Sequence, residues 1–246
     1  MLGILAFGDS ITHGGGELQW GVALQGWALW VARALGLPYS PYAVDGADVT
    51  GVLAQQIPAF VGTAAQPEGP YDVGCLYVGS NDVRGFGWDP VAFEADLREG
   101  LAFLAARCER VLTLTIPVDI GRPRAGAKVH DANAIIERAA AATGALVVDL
   151  RAFKGRRVLM ADHVHPTAFG QVAIAERALA VLAADGLQAR VRPSQLVRYE
   201  TTRLGRLRGD LTYAYRHAKV SARAAWIVLR VRAGRPPSPA GPGEAA

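Results

Sequence analysis

The strongest constraint on the fold of this chain is a series of short, nearly uninterrupted apolar runs: LGILAF at 2–7, VGCLYV at 73–78, VLTLTI at 111–116 and ALVVDL at 145–150. A strand with one wet face alternates apolar and polar residues, whereas a strand covered on both faces does not. Longer amphipathic stretches separate the runs, as helices crossing between parallel strands require. The pattern predicts strands at 2–8, 40–44, 73–78, 110–116 and 145–149, and helices near 21–35, 48–60, 90–107, 127–143 and 167–184. Asp89-Pro90 reads as a cap followed by a first-turn proline. Val91, Phe93, Leu97, Leu101 and Leu104 then recur at helical spacing. Gly36 and Gly144 suit helix stops. The expected architecture is an α/β three-layer sandwich with a five-stranded parallel sheet and right-handed crossovers.

Sheets of this kind bind ligands beyond the carboxyl ends of their strands. Four polar clusters sit there: Gly8-Asp9-Ser10 after the first strand, Asp45-Gly46-Ala47 after the second, Gly79-Ser80-Asn81-Asp82 after the third, and Asp162-His163-Val164-His165-Pro166 beyond the fifth. Serine, histidine and aspartate together are the residue types of nucleophilic acyl transfer. A serine hydroxyl needs a base to take its proton, and the base needs a carboxylate to orient it.

Phe7-Gly8-Asp9-Ser10-Ile11-Thr12, Gly79-x-Asn81-Asp82 and Asp162-x-x-His165-Pro166 resemble, in that order, the first, third and last conserved segments of the SGNH (GDSL-like) hydrolases. The resemblance spans about the first 185 residues. It implies a flavodoxin-like fold with strand order 2-1-3-4-5, Ser10 as nucleophile, His165 as base and Asp162 as its partner. It also implies an oxyanion hole made from the backbone N–H groups of Ser10 and Gly46 and the side-chain amide of Asn81. The second segment, Val44-Asp45-Gly46-Ala47, departs from the family's usual neighbours of that glycine. No cofactor is implied.

Each residue also has a blander reading. Asp9 ties down its own turn, and Asp82 braces the loop carrying Asn81. His163 competes with His165 as base, but the two-residue gap after Asp162 favours His165. His13 and His130 read as surface or rim residues, and Trp27 and Trp30 as one core-facing helix side. The glycines at 14–16 lack the Gly-Lys-Ser/Thr ending of a phosphate loop. Trp20, Phe86 and Trp88 follow the catalytic strands and are candidates for substrate contact.

The net charge of +4 conceals a split. Residues 1–189 hold 14 Lys and Arg against 19 Asp and Glu, whereas residues 190–235 hold 12 against two. Three segments follow: a catalytic domain at 1–189, a basic amphipathic helical extension at 190–233, and a Pro/Gly-rich tail at 234–246 expected to be disordered. The extension forms one helix or two broken near Gly205 and Gly209. It packs on the acidic body or on a second copy, making a homo-oligomer, or it adsorbs to an anionic membrane. Nucleic acid is not expected, because the charge comes without a reading motif. Cys75 and Cys108 read as reduced thiols and no metal cluster is visible. No basic region precedes the first apolar run and no cleavage site follows it, so a cytoplasmic protein is expected, free or peripheral at the inner face of the membrane.

The functional expectation is an esterase acting on a small-molecule, lipid or carbohydrate acyl ester through an acyl-serine. Two rivals stand beside it: an acyltransferase using the same triad on a sugar or lipid hydroxyl, and a catalytically inactive lipid-binding or scaffold module.

Overall fold

The computed structural model describes residues 2–19, 22–63, 69–85, 87–199 and 201–232. Five strands, β1 (Ile4–Gly8), β2 (Tyr39–Pro41), β3 (Val73–Tyr77), β4 (Val111–Leu114) and β5 (Leu146–Val148), form one parallel sheet in the order β2-β1-β3-β4-β5. Register pairs Ile4 with Tyr39 on one side of β1 and with Val73 on the other. The chain runs outward from β1 to β2, then returns past β1 to β3. The carboxyl ends of β1 and β3 therefore flank the topological switch point, where such sheets open a crevice.

The helices are α1 (Ser10–His13), α2 (Trp27–Leu35), α3 (Val49–Gly51), α4 (Ile57–Val61), α5 (Ser80–Arg84), α6 (Pro90–Ala105), α7 (Lys128–Thr143), α8 (Ala168–Ala184) and α9 (Arg203–Arg232). On one face of the sheet, α2 and α8 bury Trp27, Val31, Ile174 and Leu182 against Ile4, Ala6 and Leu112. On the other, α6 and α7 bury Leu97, Leu101 and Ile136 against Leu5, Phe7 and Leu76. Fully burying each such side chain stabilises the fold by about 1.5–3 kcal/mol. The chain from Leu187 to Val197 continues this packing against the α2–α8 layer.

Several boundaries differ from the sequence reading. β2 is only three residues long and ends at Pro41, whose ring removes a ladder donor. α2 begins at Trp27, because Gly26 is extended at its N-cap and the preceding chain forms a small bridge between Gln19 and Val22. The single helix expected at 48–60 is α3 and α4 joined by a π-helical turn at Val52–Gln56. Asp89 caps α6 as anticipated, accepting from the N–H groups of Val91 and Ala92. Gly205 and Gly209 do not break α9, which is one helix. The tail at 234–246 lies outside the described residues.

Candidate active site

β1 delivers its chain to the site through Gly8, whose φ of 143° and close approach to the Tyr77 carbonyl exclude any side chain. Gln56, the last residue of the π-helical turn, clamps both sides of this point. Its Nε2 donates to the Gly8 carbonyl at 2.8 Å and its Oε1 accepts from the Gly8 N–H at 2.9 Å. Asp9 then caps α1 by accepting from the Ile11 N–H at 2.9 Å. Ser10 is thereby fixed in the first turn of a short helix, 9% exposed, at the carboxyl end of a central strand. From the other side, Gln171 of α8 accepts from the Trp27 N–H and donates to the carbonyls of Ile11 and Gly15.

Ser10 Oγ lies 3.1 Å from His165 Nε2, and His165 Nδ1 lies 2.7 Å from Asp162 Oδ2. The other carboxylate oxygen, Oδ1, accepts from the N–H groups of Val164 and His165, so the turn wraps around the acid. An ionised carboxylate only accepts. It therefore holds the imidazole proton on Nδ1 and leaves the Nε2 lone pair facing the serine hydroxyl. Burial works against the charged form of His165. The hydrogen bond and charge of Asp162, with a smaller contribution from Asp9, outweigh it and raise the imidazole above its ordinary value. Burial likewise pushes the Asp162 carboxyl up, but His165 and the two backbone donors hold it below the ordinary value.

His163, the competing imidazole, turns elsewhere. Its Nδ1 lies 3.3 Å from Asp119 Oδ2, and the Arg122 guanidinium lies 2.9 Å from the same nitrogen. Its φ of 57° is the left-handed conformation, costing about 1–2 kcal/mol in a residue with a side chain. That backbone twist separates two histidines only two positions apart.

The remaining loops are stitched to this centre. The Val44 N–H donates to the Gly8 carbonyl. Asn81 Nδ2 donates to the Ala47 carbonyl at 2.9 Å, and Asp82 Oδ1 accepts from the Val49 N–H at 3.1 Å. Asn81, in the first turn of α5, thus adjoins the loop that carries Gly46, and Gly46 has φ 78° with open space where a Cβ would stand. One amide hydrogen of Asn81 is committed to Ala47, leaving the second for a ligand. The bland reading of Asp82 matches this contact. Burial pushes its carboxyl up to about 6 and that of Asp9 up to about 7.

The glycine run is a close-packed segment: a Cβ on Gly15 would meet Ser10 and one on Gly16 would meet the Pro166 carbonyl. His13 is exposed and pairs with Asp45 at 2.8 Å. Trp27 and Trp30 are core residues, Trp27 donating to Thr12 Oγ1. Trp88 is half-buried, its ring 5.1 Å from that of Phe93 on α6. Trp20 and Phe86 lie outside the described residues. No cluster of three or more His, Cys, Asp or Glu suited to a metal occurs among the described residues. Gln56 and Gln171 escaped the sequence reading. A buried glutamine at the end of an amphipathic helix has no local signature, although its position among apolar neighbours was the available hint.

The profile described as GDSL-like Lipase/Acylhydrolase family matches residues 6–173. Among curated proteins no sequence matches the chain. Axe2, an acetylxylan esterase from Geobacillus stearothermophilus, has a similar structure with a TM-score of 0.57 at 20% identity, covering 73% of this chain and 93% of that one. LAE5, an alpha/beta hydrolase enzyme from the metagenome of Lake Arreo, Spain, gives 0.56 at 23% identity, covering 73% and 94%. A member of the lipolytic protein G-D-S-L family from Veillonella parvula DSM 2008 gives 0.58 at 25% identity, covering 73% and 97%.

Proposed function

Given that the chain belongs to the GDSL-like lipase/acylhydrolase family and is a serine ester hydrolase of that type, we propose that it cleaves acyl esters through a covalent acyl-serine on Ser10. The observation that carries this reading is the relay of contacts from Ser10 Oγ to His165 Nε2 and from His165 Nδ1 to Asp162 Oδ2. In the first half-reaction Ser10 Oγ attacks the ester carbonyl carbon while His165 takes the hydroxyl proton. The tetrahedral oxyanion is received by the backbone N–H groups of Ser10 and Gly46 and by the free amide hydrogen of Asn81. His165 then protonates the departing alcohol. In the second half, His165 removes a proton from water as its oxygen attacks the acyl carbon, then returns that proton to Ser10 Oγ as the C–Oγ bond breaks, releasing the acid and the free serine. Asp162 holds the tautomer and stabilises the imidazolium in both halves.

Trp88, half-buried beyond β3, is the described residue we assign to the rim that the acyl or alcohol group crosses, while Trp20 and Phe86 stay candidates from sequence. A panel of aryl esters from acetyl to long acyl, read as kcat/KM for wild type, Ser10→Ala and His165→Ala, tests the reading. Hydrolysis by wild type with loss of about 10³-fold or more in both variants is expected. Equal turnover by wild type and Ser10→Ala contradicts it. The same assay with an added acceptor alcohol separates fates of the acyl group, since a dominant new ester would reassign the reaction to acyl transfer.

We further infer a reducing, cytoplasmic setting. Cys75 and Cys108 are free and buried, and burial raises the Cys108 thiol to about 12. Alkylating the natively isolated protein after unfolding should find two thiols by mass; a bridge between them would contradict this placement.

A further inference from the structure

α9 lies beyond the residues matched by the family profile, which end at 173, and it has three distinct faces. With 3.6 residues per turn, Asp210, Tyr213, His217 and Ala224 fall on one side, and that side meets the body. Asp210 pairs with Arg156 at 3.1 Å. The Tyr213 ring stacks on His217, whose ring lies 5.9 Å from that of His163. Just beside this face, Arg216 pairs with Glu17 at 2.6 Å. The helix therefore rests on the turn that carries Asp162 and His165 and on the loop that leaves Ser10's helix.

The opposite side carries Leu204, Leu207, Leu211, Tyr215, Trp226 and Leu229, each more than half exposed at 54–76%. A continuous apolar stripe of this size on a soluble surface marks an interaction site. Along one edge of it run Arg208, Lys219, Arg223 and Arg230, the last stacked over Trp226 at 4.6 Å. The chemistry of the stripe selects its partner. A second copy packed helix to helix would bring the same cations, and Asp210, the one acidic residue between 203 and 232, is turned towards Arg156. A nucleic acid would satisfy the cations and leave the leucines and tryptophan wet. An anionic lipid surface satisfies both, with cations at the headgroups and apolar side chains in the acyl boundary. No helix among the described residues is long and apolar enough to cross a membrane, so such a helix lies on the surface.

We propose that α9 docks the protein, apolar stripe down, on an anionic lipid surface. Because the other side of the helix supports the Asp162–His165 turn, docking brings the site within about one helix diameter, roughly 10 Å, of that surface. The corresponding substrate class is an amphiphilic ester held in the lipid layer, a consequence that rests on the esterase reading above.

Co-sedimentation of the full chain with vesicles of equal phosphatidylglycerol and phosphatidylcholine, against vesicles of phosphatidylcholine alone, tests the docking. Binding to the anionic vesicles is expected, at least about tenfold weaker on neutral ones. It should be lost in Leu211→Asp/Leu229→Asp and weakened about tenfold or more in Arg208→Glu/Lys219→Glu. Ser10→Ala should bind like wild type. Both double variants should hydrolyse a water-soluble aryl acetate like wild type, which shows them folded. No pelleting of wild type, or equal pelleting of the stripe variant, overturns the proposal. So does a stable dimer that Leu211→Asp/Leu229→Asp dissolves, or salt-sensitive binding to duplex DNA without vesicle binding. Vesicle binding without hydrolysis of any ester supports the docking and sinks the esterase reading instead.

Discussion

Replacing Asp9 with Asn changes one atom beside the nucleophile and removes its capacity to ionise. Asp9 is 1% exposed; its Oδ1 holds the Ile11 N–H, and its Oδ2 has no hydrogen-bond partner among the described residues. Burial raises the carboxyl from the ordinary 3.8 to about 7. Between these values the folded chain keeps a proton that the unfolded chain has released. The contribution to stability is therefore greatest below the unfolded value and is lost as the pH rises, until the folded group ionises near 7. A rise of that size corresponds to about 4 kcal/mol in total, and about 3 kcal/mol of it falls between pH 4.5 and pH 8. Asn retains the acceptor that caps α1 and has no proton equilibrium. The fit of the new amide sets a constant offset, whereas the charge sets the slope. His165 contributes a slope of the same sign, since its raised value also favours low pH; Asp162 supplies most of that rise and Asp9 a smaller part, so most of this slope is common to both proteins. Urea unfolding of wild type and Asp9→Asn across this range should show the variant gaining about 3 kcal/mol on wild type from pH 4.5 to pH 8. Parallel stability curves would refute the argument that the carboxyl is buried without compensation.

Asp162→Asn should lower kcat by about 10²–10⁴-fold, because the amide no longer fixes the proton on Nδ1. In wild type, kcat/KM should rise with pH through a His165 value above 6.5, and the variant's acid limb should move to lower pH. An unmoved limb would show that Asp162 does not govern His165. His163→Ala should keep activity within a few-fold, while His165→Ala loses about 10³-fold or more; the reverse order in a soluble aryl ester assay would exchange their roles. Gln56→Leu strands the Gly8 N–H in a buried place and leaves the Gly8 carbonyl with the Val44 N–H alone. It should cost about 1–3 kcal/mol in urea unfolding and reduce kcat more than it raises KM. Unchanged stability would mean that water or backbone replaces the clamp.

The layers of the fold were legible because doubly covered strands leave apolar runs that little else in a chain produces. Ser10 and Asn81 could be singled out because each stands just after such a run, whereas Asp162 and His165 were picked by their mutual spacing ahead of α8. The aromatic rim was the weakest part, since Trp88 leans on Phe93 and its distance from a run says nothing about the direction of its ring. The π-helical turn at Val52–Gln56 was invisible, since its apolar pattern is that of an ordinary helix until Gln56 finds the Gly8 peptide 48 residues earlier. The separate fates of His163 and His165 were inferred from spacing alone. Their cause, a left-handed backbone at His163 with Arg122 and Asp119 waiting beside it, is tertiary. α9 was recognised as basic and amphipathic, but sequence could not say which side meets the body. Asp210, His217 and Arg216 settle it through Arg156, His163 and Glu17, all outside the helix.

The central claim is that one hydroxyl is made nucleophilic by its place against one imidazole, and its most direct test is covalent. A fluorophosphonate added to the full chain, followed by digestion and mass mapping, should place a single adduct on the peptide containing Ser10. The adduct should be absent in Ser10→Ala and greatly slowed in His165→Ala. An adduct on another residue, or none on a protein that still hydrolyses esters, would contradict the account.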